Sequence, residues 1–271
     1  MYNTKNTPIQ KLIIILNETK FKARQQVPTL QKLLAQFGIQ TSTYTLYQLA
    51  SIPFDTCDAI MSVGGDGTIL SLAPYALRHQ KPIIGINCGH LGFLTMYSIQ
   101  ALSEHLPNLV KGDYQLSSRH LLKAVTGDQS VLFALNDIVL KSRALRLVNL
   151  EIELPSGLLV TRTRSDGMIF CTSTGSTAYN LSAHGPVLHP SSSTWCMTPI
   201  CPHDFFNRTL VFDNSIQLVI HSKDNVEVVR DGRKYPSPLL PLTIGIAEET
   251  VSFVQPNDFS YFDNLRTKFN W

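Results

Sequence analysis

Charge is scarce in this sequence, and it gathers in no block. Charged residues are 16% of the 271 positions, and the formal net charge is only +3. Without a basic stripe, nucleic acid is excluded as the main partner. Long apolar runs are missing as well. The strongest, Leu12 to Leu16, is far too short to span a bilayer. Met1 to Gln10 is polar and lacks the apolar core of a signal peptide. The expectation is a cytoplasmic protein with no membrane partner. Paired cysteine motifs are absent too. Cys57, Cys88, Cys171, Cys196 and Cys201 contain no C-x-x-C pair, and their odd count reads as reduced thiols. Cys196, Cys201 and His203 lie close together, but their spacing matches no common zinc pattern, and Pro199 and Pro202 break the segment. There is no internal repeat and no low-complexity stretch.

What is present is apolar content of 44%, enough for a sizeable core in two modest domains or one large one. Residues 1–10 are expected to be loose. Leu12-Ile13-Ile14-Ile15-Leu16 reads as a strand buried on both faces. Val27, Leu30, Leu33, Leu34 and Phe37 have helical spacing, stopped by Gly38. Thr41–Leu46, Ala59–Val63 and Pro82–Ile86 read as further strands, with a helix over Ile69–Leu77. Strands alternating with helices predict a doubly wound parallel sheet, and Ser98 is a candidate N-cap for a helix reaching Val110. From Gln115 to about Phe253 the texture changes to short Val, Ile, Leu and Thr runs broken by turns, a mostly β domain. The division expected is an α/β domain over 1–112, a β-rich domain over 113–255, and a C-terminal segment, 256–271, packing back on the first.

Between the third strand and its helix stands Gly64-Gly65-Asp66-Gly67-Thr68. The glycines allow positive φ and a close approach with no Cβ in the way, so that a phosphate can meet backbone N–H groups at the helix N-terminus. Asp66 beside a polyanion is repulsive unless it holds Mg²⁺ or accepts a proton from an attacking hydroxyl. Ligands of such sheets bind beyond the carboxyl ends of the strands, where this turn and the loop Asn87-Cys88-Gly89-His90-Leu91-Gly92-Phe93-Leu94 both fall. A second phosphate-capable turn, Thr174-Gly175-Ser176-Thr177-Ala178-Tyr179, opens a short helix inside the β-rich region.

Taken together, these motifs resemble the bacterial NAD kinases, from the first strand to the last residue. Gly64 to Thr68, Asn87 to Leu94, Asn136-Asp137, Arg164-Ser165-Asp166-Gly167, Thr174 to Tyr179, Ser182-Ala183, Asn207-Arg208, Asp231-Gly232 and the tail Leu265-Arg266-Thr267-Lys268 occur in the family's order. The resemblance implies transfer of a phosphoryl group from ATP, or from polyphosphate, to the 2′-hydroxyl of the adenosine ribose of NAD. It implies Asp66 as proton acceptor, with Gly64, Gly65, Gly67 and Thr68 on the phosphate side and Asn87 in the neighbouring loop. Asn136 would meet adenine, and Asp137 the ribose hydroxyls. Thr174, Gly175, Ser176, Thr177, Ala178, Tyr179 and Ser182 would line the adenosine region. Arg164 and Asp166 would contact the nicotinamide end, with Arg146 and Arg233 near phosphate or ligand. A divalent cation, Mg²⁺, would bridge the donor phosphates, its protein ligands unassigned. NAD and ATP are the implied partners, in a homodimer or homotetramer whose subunits share the dinucleotide site.

The sequence departs from the family at three places. Asp137 stands where relatives carry Glu, Ser173 where they carry Pro, and His184 where they carry Gly. If position 184 needs positive φ, histidine is strained there. Two other readings share the glycine turn. A lipid or sugar kinase would need a different acceptor pocket, and the polar Thr172 to Thr177 stretch argues against an acyl site. A non-catalytic dinucleotide sensor would have no need of Asp66.

Overall fold

The computed structural model describes residues 6–89, 92–143, 146–236 and 240–270. Met1, His90 and Leu91, named above, lie outside them. The chain forms two compact units, Met1–Ser118 with Val251–Trp271, and Arg119–Thr250.

The first unit opens with β1 (Lys11–Leu16), α1 (Phe21–Gln36), β2 (Gln40–Thr45), β3 (Ala59–Gly64), α2 (Asp66–His79), β4 (Ile83–Asn87) and α3 (Ile99–Leu109). The strands pair in parallel in the order β2-β1-β3-β4. Leu12 to Ile15 and the whole of β3 are buried, as expected for strands covered by helices on both faces. α1 begins six residues before Val27. Ala23, Val27, Leu30 and Leu34 form its buried stripe, and Ala23 carries that stripe into an extra turn and a half. Pro28 stays inside the helix, forfeiting one backbone bond. Ser98 does cap α3, its Oγ accepting from the Ala101 N–H at 3.0 Å. The loose N-terminus expected from sequence is corrected for residues 6–10. Asn6 N–H donates to Gly112 O, Ile9 N–H donates to Leu109 O, and Ile9 is buried.

The second unit holds β5 (Gln115–Val125), β6 (Val131–Ala134), β7 (Asp137–Ser142), β8 (Val148–Glu153), β9 (Leu159–Ser165), β10 (Gly167–Thr172), α4 (Tyr179–Ser182), β11 (Thr194–Ile200), β12 (Leu210–Asp213), β13 (Leu218–His221), β14 (Val226–Arg230), β15 (Arg233–Tyr235) and most of β16 (Leu242–Gln255). One antiparallel sheet runs β12-β11-β10-β7-β14-β15. A second runs β9-β8-β13 and on to Leu242–Ile244 of β16. Their inner faces share one core. Leu140, Phe170, Trp195 and Val228 come from the first sheet, and Leu150, Ile220 and Ile244 from the second. Each such side chain contributes about 1.5–3 kcal/mol of burial.

The chain ends in the first unit. There Phe253 of β16 pairs in parallel with Ile83, and α5 (Tyr261–Phe269) follows. Among the described residues no helix is long and apolar enough to cross a membrane.

Candidate functional site

The Gly64–Thr68 turn leaves the end of β3 directly beside the end of β4, with Gly64 opposite Asn87 in the register. Its glycines do not use the positive φ open to them; among the described residues the positive-φ glycines are Gly38, Gly112, Gly157 and Gly232. The reason for glycine at 64 is close packing. A Cβ there would collide with the Thr68 hydroxyl, which also receives a bond from the Asn17 side chain at 3.3 Å. Around Gly65 and Gly67 there is open space, and Gly67 is exposed, so the turn presents bare backbone to solvent.

Asp66 is the first residue of α2, where the helix dipole favours a carboxylate. Its oxygens are seated by the loop after β4. Oδ2 accepts from Phe93 N–H at 2.8 Å, and Oδ1 from the N–H groups of Leu94 and Thr95 at 3.2 Å each. The Thr95 hydroxyl adds a fourth donor at 3.3 Å. Gly92 is obligatory, because a Cβ there would overlap the carboxylate. Half-buried Asp66 is therefore fixed in direction. Asn87 uses its Oδ1 to accept from Gly89 N–H at 2.7 Å, shaping the start of that loop. Asn17 and Thr95 carry no glycine or charge signature, and sequence reasoning passed over both.

The second unit repeats the device. Asp231 sits in the left-handed region at φ 46 between β14 and β15. Its carboxylate accepts from three successive N–H groups, Leu135 at 2.9 Å, Asn136 at 2.8 Å and Asp137 at 3.2 Å. Asn136 and Asp137 are thus presented by a fixed loop. From the other side Thr172 Oγ1 donates to Leu135 O at 2.7 Å and accepts from Gly175 N–H at 3.0 Å. A Cβ at Gly175 would strike Asn136 O, so glycine is required for the two loops to touch. Asp137 is buried, and burial together with the Asp231 charge pushes its carboxyl up to about 7. Burial also raises Asp231, against the pull of its three amide donors.

The Thr174–Ser182 segment divides by direction. Ser176 faces inward, its hydroxyl donating to Ser173 O at 2.7 Å and accepting from Leu188 N–H at 3.0 Å. Asn180, also fully buried, links Ser176 O and Pro186 O to Thr198. Tyr179 is 45% exposed, Ser182 is exposed, and Thr177 and Ala178 are half-buried. Thr174 Oγ1 is buried without a hydrogen-bond partner. His184 has φ 61, so the backbone does hold the left-handed conformation that disfavours histidine.

The expected ligand residues of this unit fall at the two ends of β10. In the register Cys171 pairs with Asp137 and Gly167 with Lys141. Asn136, Asp137, Thr174 and the Asp231–Arg233 corner lie at one end. Arg146, Arg164 and Asp166, all exposed, lie at the other, about 20 Å away along β10. Arg164 lines a cavity of about 740 Å³ with Asn149, Arg162, Lys223, Asp224 and Pro241. Among the described residues no cluster of three or more His, Cys, Asp or Glu could hold a metal ion. Both oxygens of Asp66 already accept N–H bonds.

The chain matches the family model of the ATP-NAD kinase N-terminal domain over residues 12–114 and that of the ATP-NAD kinase C-terminal domain over residues 135–248. It is 34% identical to the NAD kinase of Pseudomonas entomophila, covering 90% of this chain and 83% of that one. It is 31% identical to the NAD kinase of Caldicellulosiruptor bescii, covering 92% and 96%. Among solved structures it is similar to an NAD kinase from Archaeoglobus fulgidus in complex with ATP, with TM-score 0.77, 26% identity and coverage of 95% and 99%. It shares the fold of yeast NADH kinase complexed with NADH, with TM-score 0.83, 21% identity and coverage of 98% and 89%.

Proposed function

Since the chain belongs to the NAD kinase family, we propose that it transfers the γ-phosphoryl group of ATP to the 2′-hydroxyl of the adenosine ribose of NAD, giving NADP. The observation that carries the reading is the seat of Asp66, a half-exposed carboxylate held by four donors beside bare glycine backbone. Phosphoryl transfer needs alignment and charge neutralisation more than covalent chemistry. The 2′-oxygen attacks the γ-phosphorus, the bond to the β-phosphate oxygen breaks, and ADP leaves. Asp66 takes the hydroxyl proton as the new P–O bond forms. A carboxylate is a weak base for an alcohol, so its help falls mainly in the transition state. ATP enters as its Mg²⁺ complex, which neutralises the phosphate charge. Gly64, Gly65, Gly67 and Thr68 offer backbone and hydroxyl to the donor. Polyphosphate presents the same phosphoryl chemistry and is a candidate second donor.

In this reading the second unit grips the adenosine. Asn136 carries the amide donor and acceptor that an adenine edge requires, Asp137 accepts from ribose hydroxyls, and Tyr179 stacks on the base. Arg233 sits at the same end. Arg146, Arg164 and Asp166 lie at the other end of β10, about 20 Å from the adenosine end. We assign them to a site completed by a second copy, within a homodimer or homotetramer. Phe205 and Phe206, 83% and 92% exposed, support association through this unit. We place the enzyme in the cytoplasm, where NAD and ATP meet.

The test is to incubate purified protein with NAD, Mg²⁺ and either ATP or polyphosphate, and to read the product with an NADP-specific dehydrogenase. NADP formation is expected. NAD binding without product from either donor would overturn the reading in favour of a dinucleotide sensor.

A further inference from the structure

We propose that the C-terminal helix α5 braces the Asp66 carboxylate, with Asn264 as a positioning residue; this rests on Asp66 being the proton acceptor proposed above. Ser260 caps α5, its Oγ accepting from Asp263 N–H at 3.2 Å, and turns Asn264 and Leu265 inward. Asn264 is 6% exposed, and its Nδ2 donates to Gly92 O at 3.1 Å. That carbonyl belongs to the same peptide plane as the Phe93 N–H, which makes the shortest bond to Asp66. The peptide is planar, so its C=O and N–H turn together. Asn264 holds the plane from one side while Asp66 is held from the other. Glycine on one flank of this plane offers little resistance to rotation. Without Asn264 the Phe93 N–H can swing off the carboxylate.

The neighbouring ring is anchored by the same helix. Phe93 packs against Tyr261 and Phe269, with centroids 6.5 and 5.6 Å away, and Lys268 Nζ lies 5.2 Å from its centroid. The orientation of the Asn264 amide is settled, since reversing it would set oxygen against oxygen. Its own Oδ1 is then buried with no hydrogen-bond partner. Leaving an acceptor so placed is destabilising. Leucine would fill the same space without that penalty, so the amide is there for its donor.

The test compares wild type, Asn264→Leu, Asp66→Asn and the double variant. Thr267→Ala, on the exposed face of α5, is the control. Asn264→Leu is expected to lower kcat about tenfold, with KM for NAD and for ATP within about twofold. Backbone amide exchange at Phe93, Leu94 and Thr95 should rise about tenfold, with β1 and β3 unchanged. In the Asp66→Asn background the second substitution should cost nothing further, because its route to the chemistry is already gone. Thr267→Ala should match wild type. An Asn264→Leu enzyme with wild-type kcat, an equal loss in both backgrounds, or faster exchange throughout the unit would overturn the brace. If Asn264→Leu does not fold, Asn264→Ala, which cannot overpack, carries the same readouts; failure of both to fold would assign Asn264 to stability alone and also overturn the proposal. No NADP from wild type would instead defeat the functional reading. An active wild type and inactive Asp66→Asn beside a fully active Asn264→Leu would defeat only the brace.

Discussion

Asp66 and Asp231 sit in the two units in near-identical seats, each accepting from three successive backbone amides. The seats differ in what lies on the remaining side. Asp66 starts a helix, gains a fourth donor from Thr95 and is half-exposed beside an open glycine turn. Asp231 occupies a left-handed corner, is bonded to the loop it faces, and has the buried Asp137 beside it. The same hydrogen-bond pattern therefore serves two ends. One carboxylate is half-buried at a helix start beside an open glycine turn. The other is a structural pin that holds Asn136 and Asp137 in place.

That contrast can be broken by substitution. Asp66→Asn loses the proton acceptor and turns an amide NH₂ against at least one of its backbone donors, so kcat for NADP formation should fall by about 10³ and the unfolding midpoint should drop modestly, with the protein still folded. Unchanged turnover would make the two seats equivalent. Asp137 gives the next largest effect, in its pH dependence. Its carboxyl is near 3.9 in the unfolded chain and about 7 when folded. The folded state therefore binds more proton between these values, and stability falls as pH rises through that window. The full swing is about 4 kcal/mol. Urea unfolding at pH 5 and pH 7.5 should show the loss in wild type and much less of it in Asp137→Asn.

Asp231→Ala leaves three N–H groups without an acceptor and should cost about 3 kcal/mol in urea unfolding. It should also weaken NAD binding, because the Leu135–Asp137 loop is released. Selective loss of kcat with stability intact would contradict its role as a pin. Thr95→Val removes only the fourth donor to Asp66. A drop in kcat of about threefold is expected, with KM for NAD unaltered.

The α/β unit followed by a mostly β unit was legible because each period is written plainly. The Leu12–Leu16 run and the glycine turn bracket a parallel sheet, and short β-branched runs fill the rest. The limits of α1 were harder, since Ala23 looks like one more small residue among polar neighbours until it is seen to be buried. The glycine turn is legible as bare backbone, but the close packing of Gly64 against Thr68 is not, since it depends on how the helix start folds back. Asp231-Gly232 stands out in sequence only as a family motif, and the pairing of β14 with β7 is what brings it under Leu135 to Asp137. The separation of Arg164 and Asp166 from Thr174 is likewise invisible without strand direction. They are eight residues or more apart in sequence, but a straight strand keeps them at opposite ends.

The most direct measurement is the position of the transferred phosphate. Wild-type protein is given NAD, Mg²⁺ and ATP for a single turnover, and the product is examined by phosphorus–carbon coupling in NMR. The expected result is one new phosphate on the 2′-oxygen of the adenosine ribose. A phosphate on the 3′-oxygen or on the nicotinamide ribose, or no phosphorylated dinucleotide at all, would contradict the account.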